Sequence, residues 1–327
     1  MNSRAHKIIY FGTSAFAVPP LLSLLADGRF DVAAVVSQPD KPAGRKGEVR
    51  PSPVAAAARE RGLRLLQPAK LKDESFGRLL AELKPDFLVV AAYGKILPQA
   101  VLDIPRSGAL NLHGSLLPKY RGASPIQETI RCGEKTAGVT LMKMDRDMDH
   151  GPVYAAVETP IAEDDTYGSL EAKLAGAAAK LLVDSIDKIA AGELKPTEQR
   201  HDQATFTKIL SRQNGFISWK DESAQDIVRK LRAFDPWPGV YAVWKRPGGR
   251  PLRLKIIKAR PLEAAAKPDV PGTVFAADGK KPAVWTRSGA LELIEVQMEG
   301  KKPASGRALL NGYADLPGSI LASEDVG

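Results

Sequence analysis

Two side chains in the segment "NLHGSLLP", residues 111 to 118, have the chemistry needed to stabilise a developing negative charge. Asn111 carries an amide N–H donor, and the imidazole of His113 can both donate and accept hydrogen bonds. If residues 109–113 form a strand, both side chains point to one face, because strand side chains alternate with a period of two. Converging donors suit the oxyanion of an acyl transfer. The structural alternative is that Asn111 fixes a turn and His113 is a half-buried histidine.

A second segment, "MDRDMDHG" at residues 144–151, supplies three carboxylates. Asp149 placed beside His113 would fix the tautomer of the imidazole and create a proton-handling pair. We interpret Asp145 and Asp147 as turn residues. The segment lacks the glycine and the terminal glutamate of an EF-hand loop, and the chain has no H-E-x-x-H motif, so we predict no metal site.

The sequence offers no convincing protein nucleophile. Cys132 is the single cysteine and follows a helix-like segment, whereas Ser115 lacks the G-x-S-x-G context of a serine nucleophile. An activated acyl group can, however, be attacked directly by an amine of the substrate. The residues therefore favour direct acyl transfer to an amine.

Composition indicates an ordinary globular protein rather than a disulfide scaffold or a membrane protein. The chain has 327 residues, of which 44% are hydrophobic and 26% are charged. This length favours two domains, and a single cysteine fits a reducing compartment. No stretch approaches the ~20 apolar residues of a membrane span, and the N-terminus lacks a signal-type apolar region. We expect a cytoplasmic protein.

The first half alternates strand-like and helix-like segments, which is typical of a doubly wound α/β fold with a mainly parallel, Rossmann-like sheet. The predicted strands are residues 7–12, 31–37, 86–94 and 109–115, and the predicted helices are residues 16–27, 52–62 and 73–83. Ligands bind at the carboxyl ends of such strands, where Asn111 and His113 would lie. The first junction reads "FGTSAF" and lacks the glycines of a dinucleotide site, which argues against a nicotinamide enzyme.

The pattern of predicted elements changes further along the chain. Strand-like residues 138–145 and 152–161 precede a helix over 166–191, and the unpatterned residues 192–206 are the best candidate for a linker. Five short strands punctuated by glycine and proline then predict a small antiparallel, OB-like β-barrel. We therefore predict a catalytic domain at 1–191, a linker at 192–206 and a basic domain at 207–327.

Positive charge is concentrated in the second part of the chain. The net charge is +9, and the stretch from Arg229 to Lys281 holds 13 basic and 4 acidic residues. Such a density suits a phosphate backbone, although a solvated surface is the plain alternative. A second basic segment, residues 40–50, contains Lys41, Arg45, Lys46 and Arg50 among glycines and prolines. Its composition predicts a mobile loop without regular structure.

Two long segments, "NLHGSLLPKYRGASPIQ" and "GVTLMKMDRDMDHGPV", resemble the folate-dependent formyltransferases. Further stretches agree, including "IIYFGTSAFAVPPL", "SQPDKPAGRKGEVRPSPV", "VVAAYGKILP" and "LRAFDPWPG". The resemblance extends to about residue 315 and is to members that act on initiator tRNA. It implies transfer of a formyl group from 10-formyltetrahydrofolate to the α-amine of methionine on initiator tRNA.

The resemblance also implies roles for individual residues. Asn111 and His113 would hold the formyl oxygen, and Asp149 would orient His113 and help to remove the proton of the amine. Folate would be contacted by two segments, Ser115, Leu116, Leu117 and Pro118 together with Tyr93, Gly94, Ile96 and Leu97. The basic loop with Lys41, Arg45, Lys46 and Arg50 would approach the end of the tRNA. The chain departs from the family at Ser14–Ala15 and at His150, which leaves open the shape of the first loop and the effect of His150 on Asp149.

Two other functions remain possible at this point. A formyltransferase acting on an amino-sugar nucleotide would share the catalytic trio but would need fewer basic residues. A noncatalytic RNA-binding protein would not need the trio. We expect a monomer.

Overall fold

A seven-stranded sheet forms the centre of the first unit in the computed structural model, which describes residues 5–43, 48–246, 248–262, 270–278 and 280–323. The strands of this unit are β1 (His6–Gly12), β2 (Phe30–Val36), β3 (Lys41–Ala43), β4 (Glu48–Arg50), β5 (Leu65–Leu66), β6 (Phe87–Ala91), β7 (Ala109–His113), β8 (Arg121–Gly122), β9 (Thr136–Lys143), β10 (Val153–Pro160) and β11 (Phe206–Thr207). The order in the main sheet is β10–β9–β7–β6–β1–β2–β5. The five strands from β7 to β5 pair in parallel, and β9 and β10 add antiparallel pairs.

Helices follow the strands as the sequence predicts. In chain order they are α1 (Val18–Leu25), α2 (Pro53–Glu60), α3 (Glu74–Glu82), α4 (Gln99–Leu102), α5 (Pro125–Arg131), α6 (Tyr167–Ala190), α7 (Ala224–Ala233) and α8 (Gly306–Gly312). Local chemistry fixes where they begin: the hydroxyl of Ser52 accepts from the N–H of Ala55, and Asp73 caps α3 in the same way. The predicted doubly wound, mainly parallel fold is confirmed.

The described residues divide into two units, the first within 1–126, 135–162 and 169–208, and the second within 127–134, 163–168 and 209–327. Residues 192–206, which the sequence suggests as a linker, lie within the first unit. Thr197 exchanges two backbone hydrogen bonds with Val153, and β11 pairs with β8. This segment is therefore part of the first unit, because its backbone forms hydrogen bonds with strands of that unit.

The basic segment at residues 40–50 differs from its prediction. Lys41–Ala43 and Glu48–Arg50 pair as antiparallel strands, so the expectation of no regular structure is wrong for these residues. Short strands need only a few backbone hydrogen bonds, which proline at position 42 does not prevent at an edge. Arg45 and Lys46 lie outside the described residues.

The second unit is built on an antiparallel sheet. Its strands are β12 (Val240–Trp244), β13 (Leu252–Leu262), β14 (Val274–Ala277), β15 (Lys281–Trp285), β16 (Ala290–Met298) and β17 (Ala304–Ser305). The order is β12–β13–β16–β15–β14, with β17 added to β16. Leu321 bridges to Trp244 and Ile320 bridges to Thr273, so this late segment joins the two edges. The predicted small barrel is confirmed, with additional pairing that the sequence did not indicate.

Within the described residues, no helix has both the length and the apolar character needed to cross a membrane.

Candidate active site

The central feature of the first unit is the carboxyl end of β7, which carries Asn111 and His113. Both side chains are buried, with 9% and 6% of their surface exposed. They lie two residues apart on a strand held between β6 and β9, so the sheet fixes their backbone on both sides. This placement at the carboxyl edge is the one expected of a ligand site in an open parallel sheet.

Asp149 meets both of these side chains. Its Oδ1 lies 3.2 Å from the Nδ2 of Asn111 and 3.5 Å from the Nδ1 of His113. Its Oδ2 accepts from the backbone N–H of Gly122 at 2.8 Å. The structure thus brings the three predicted residues together, although they are separated by up to 38 positions in the chain. Asp149 itself has a φ of 51°, in the left-handed region that is uncommon for a residue with a side chain.

In the structure, both side chains already have hydrogen-bond partners within the protein: Asp149 accepts from one N–H of Asn111. The Nε2 of His113 lies 2.9 Å from the carbonyl oxygen of Tyr120. Because a carbonyl can only accept, Nε2 carries the hydrogen of this bond. The two side chains therefore converge on the carboxylate of Asp149. Acceptors of the protein itself therefore fix the orientation of both Asn111 and His113.

The "SLLP" turn is fixed from behind by β9. The hydroxyl of Thr140 donates to the carbonyl of Ser115 at 2.7 Å and accepts from the N–H of Leu117 at 3.1 Å. Ser115 is fully buried, and its hydroxyl donates to the carbonyl of Lys119 at 2.6 Å. Ser115 therefore shapes the turn, whereas Leu116, Leu117 and Pro118 are partly exposed.

The second segment predicted to contact folate divides in the same manner. Tyr93 and Leu97 are buried in the apolar core of the first unit, and burial raises the pKa of the Tyr93 phenol to about 12. Ile96, by contrast, is 76% exposed. Gly94 has a φ of 78°, and a Cβ there would lie 2.7 Å from the amide nitrogen of Gln38. The backbone of this segment is therefore tightly held, and Ile96 is the side chain that faces solvent.

Sequence reasoning missed several residues that surround Asp149. Arg121 and Gln199 are buried and hydrogen-bonded to each other, and Gln199 also reaches the backbone of Asp149. The sequence offered no clear signal for this pair, because the burial of Arg121 and its partner 78 residues away are visible only in the structure. His150, noted as a departure from the family, pairs through Nδ1 with Asp145 at 2.9 Å and does not bond Asp149.

Metal coordination finds no support in the described part of the chain. No group of three histidine, cysteine, aspartate or glutamate side chains in it is placed to hold a metal ion. Asp145 instead accepts from the N–H of Asp147 at 3.0 Å, the pattern of a turn.

Many of the basic residues in the second unit are already paired. Lys258 and Arg260 on β13 pair with Glu295 and Glu292. Lys230 is buried, and it donates to Glu222 and to the carbonyl of Phe216. Only part of the positive stretch is therefore available to a polyanion.

Two cations of β13, two positions apart, differ from these pairs. In the described chain, neither Arg253 nor Lys255 has a carboxylate partner for its side chain. The guanidinium carbon of Arg253 lies 4.1 Å from the ring centre of Tyr241, an arrangement that keeps the charge accessible beside an aromatic face.

Comparison with known proteins gives the family. The family model described as "Formyl transferase" matches residues 6–186, and the one described as "Formyl transferase, C-terminal domain" matches residues 209–314. The chain belongs to the formyltransferase family. This formyltransferase has curated relatives that match nearly the whole of its length. The protein named methionyl-tRNA formyltransferase from Chloroflexus aurantiacus is 44% identical over 94% of this chain and 98% of its own. The protein of the same name from Marinobacter nauticus is 40% identical over 96% and 99%.

Two solved structures at 18–19% identity share the fold. An N-formyltransferase from Helicobacter canadensis, in complex with folinic acid and dTDP-3-aminofucose, has a TM-score of 0.63 and 19% identity, covering 89% of this chain and 99% of that chain. HypX from Aquifex aeolicus in complex with tetrahydrofolic acid has a TM-score of 0.60 and 18% identity, covering 96% of this chain and 48% of that chain.

Proposed function

We propose that this formyltransferase moves the formyl group of 10-formyltetrahydrofolate to the α-amine of methionine esterified to initiator tRNA. The observation that carries the proposal is the convergence of Asn111 and His113 on the carboxylate of Asp149 at the carboxyl edge of the sheet. Relatives at 40–45% identity carry the name methionyl-tRNA formyltransferase, which supports the same substrate.

The reaction needs one bond to form and one to break. The amine nitrogen attacks the formyl carbon, and the electron pair of the C=O bond moves to the oxygen. An N–H of Asn111 donates to that oxygen, since the amide has two hydrogens and Asp149 takes one. The bond from the carbon to N10 of folate then breaks. N10 gains one proton and the amine loses one, so the enzyme returns to its starting state.

Proton transfer falls to the pair of His113 and Asp149. The carboxylate of Asp149 is held by the N–H of Gly122 and lies within reach of both neighbouring side chains, which suits it to accept the proton of the amine. For His113 to donate to the formyl oxygen, its Nε2 must exchange the carbonyl of Tyr120 for that oxygen. An apolar surface beside the reacting atoms would strengthen each of these interactions.

Folate binding is assigned to the two turns described above. Leu116, Leu117 and Pro118 are apolar and partly exposed, and Ile96 is apolar and exposed, which suits these side chains to a flat ring. Ser115, Tyr93 and Leu97 support these turns from the buried side. Gly94 allows the backbone to lie close to the side-chain amide of Gln38.

Binding of tRNA is assigned to the basic residues Lys41, Arg45, Lys46 and Arg50 and to the second unit. Lys41 and Arg50 face each other on paired strands and are both exposed. Cations on such a surface would bind phosphates and give affinity with little base specificity.

We further propose that the protein acts as a monomer in the cytoplasm, where initiator tRNA is used. Sedimentation of the purified protein tests whether it is a monomer.

A competition between acceptors tests the proposed function. The protein is incubated with 10-formyltetrahydrofolate labelled in the formyl carbon, together with methionyl initiator tRNA and dTDP-3-aminofucose. We expect label on the methionyl-tRNA alone. Label on the sugar alone would identify an amino-sugar enzyme, and label on neither would contradict a catalytic role.

A further inference from the structure

Asp149 is held by a buried network on its main-chain side as well as by partners of its carboxylate. The Nε2 of Gln199 donates to the carbonyl of Asp149 at 3.0 Å and to the carbonyl of Gly151 at 2.7 Å. Gln199 is 8% exposed, so water cannot readily replace it as the donor. One amide group thus bridges two carbonyls of the loop that carries the proposed proton acceptor.

The orientation of this amide is fixed by the chemistry of its partners. The Oε1 of Gln199 accepts from the Nε of Arg121 at 3.2 Å and from a terminal nitrogen of the same guanidinium at 2.7 Å. Guanidinium groups can only donate and carbonyl groups can only accept. The oxygen of Gln199 must therefore face Arg121, and the nitrogen must face the loop.

Arg121 is an unusual buried charge. Arg121 is only 3% exposed. In the described chain, the acceptors of its guanidinium are neutral: the Oε1 of Gln199, and the Nδ1 of His201 at 2.9 Å. Burying a charge without a carboxylate partner is costly. A residue that only filled space would not need a buried charge with its desolvation cost. We therefore expect the forked donors of the Arg121 guanidinium to have a specific role.

His201 extends the network to His150, which lies between the two residues whose carbonyls Gln199 bridges. Its Nδ1 accepts from Arg121, and its ring stacks on the ring of His150 at a centroid distance of 4.1 Å and an interplanar angle of 5°. His150 in turn pairs with Asp145. Residues 199 and 201 therefore contact the loop at positions 149–151, and His150 connects this end of the loop to Asp145.

The backbone of Asp149 has a reason to need such support. Its φ of 51° lies in the left-handed region, which an aspartate adopts at a cost unless the surroundings fix it. This conformation directs the carboxylate towards Asn111, His113 and the N–H of Gly122. If the carbonyl of Asp149 lost its donor, the residue could relax towards ordinary backbone angles and the carboxylate would move away from its partners.

We propose that Gln199, oriented by Arg121, is a positioning residue that holds Asp149 in its left-handed conformation and so keeps the carboxylate in place for proton transfer. The inference rests on the proposed function, because it assigns that proton transfer to Asp149. Gln199 itself does not touch the reacting atoms. Its loss therefore lowers turnover without changing the surfaces that bind either substrate.

The variant Gln199→Glu separates positioning from simple stabilisation. A glutamate keeps an oxygen for Arg121 and forms an ion pair with it, but it presents a second oxygen to the two carbonyls in place of a donor. We expect kcat to fall by about 100-fold, as for a catalytic group displaced by roughly 1 Å, with the KM for each substrate within about twofold of the parent. The matched control is Gln203→Glu, the same change at an exposed position of the same segment, which leaves kcat unchanged.

Other outcomes have defined meanings. A folded Gln199→Glu protein with unchanged kcat overturns the inference, and so does a parallel loss of kcat, substrate binding and melting temperature, which indicates a structural role only. If the variant does not fold, Arg121→Lys decides: it keeps the cation but loses the fork, and we expect about a tenfold lower kcat with unchanged KM values. Unchanged kcat in that variant also overturns the inference. Asp149→Asn separates the two proposals, because its normal turnover contradicts the proposed role of Asp149, whereas its inactivity beside a normal Gln199→Glu contradicts only the positioning role.

Discussion

The first unit contains two regions with proposed functions, and these regions are built in opposite ways. The proposed catalytic edge, formed by Asn111, His113 and Asp149, is largely buried, and each side chain bonds a partner within the protein. The basic hairpin, formed by β3 and β4, is exposed, and the bonds of its cations are local, from Lys41 to Gln38 at 3.0 Å and from Arg50 to Glu48 at 3.2 Å.

This contrast follows from what each region is proposed to do. Proton transfer requires atoms placed to within a fraction of an ångström, which agrees with side chains that are held by partners within the protein. Phosphate binding draws on charges acting over longer distances and through water, so the hairpin can remain exposed. Substitutions at the edge should change kcat, and substitutions in the hairpin should change the KM for tRNA and its salt dependence.

The largest expected effect is that of Asp149→Asn. The amide keeps the volume of the carboxylate but cannot accept the proton of the amine, so we expect kcat to fall by about 1000-fold with little change in either KM. Steady-state rates with methionyl-tRNA measure this. Asp147→Asn, at an exposed position of the same turn, is the control and should retain full turnover. An Asp149→Asn enzyme within about tenfold of the parent would remove the carboxylate from the proton-transfer step.

A smaller effect is expected from the double variant Lys41→Ala with Arg50→Ala. Loss of two phosphate-binding cations should raise the KM for methionyl-tRNA by about tenfold and leave kcat nearly unchanged. Formylation of a small amine should not change, because that acceptor carries no phosphate backbone. Arg78→Ala, an exposed change on α3, is the control. A fall in kcat with both acceptors would show that the hairpin supports the chemistry rather than the tRNA.

The smallest effect is expected in the second unit, at Arg253 and Lys255. With both residues changed to glutamine, the slope of log affinity for tRNA against log salt concentration should decrease by about 2, since each lost phosphate contact changes it by about 0.9. Binding measured at several salt concentrations gives this slope. Lys258→Gln is the control, because Glu295 already pairs with that lysine. An unchanged slope would place the tRNA contacts of this unit elsewhere.

The sequence was sufficient wherever a property depends on neighbours along the chain. The alternation in "ALNLH" placed Asn111 and His113 on one face, and the order of strands and helices predicted the parallel sheet. The short strands of the second unit likewise indicated its barrel. Hydrophobic periodicity and capping residues act over a few positions, so they can be read without knowledge of the fold.

Contacts between distant segments were beyond such reasoning. The composition of residues 40–50 predicted no regular structure, yet two short strands pair there, because a few backbone bonds outweigh weak local preferences. Residues 192–206 suggested a linker since their polar side chains show no pattern. The segment is instead held in place by bonds to residues such as Asp149 and Gly151, about 50 positions earlier in the chain.

The sequence by itself determined the fold class and the side chains that can take part in the reaction, because these follow from residue types and local spacing. Only the tertiary structure decided which atoms meet. It placed the Nε2 of His113 on the carbonyl of Tyr120, and it brought Gln199 and Arg121 behind the loop of Asp149. The physical reason is that a hydrogen bond or a buried charge is defined by distances of about 3 Å, and such distances between remote segments exist only once the sheet has assembled.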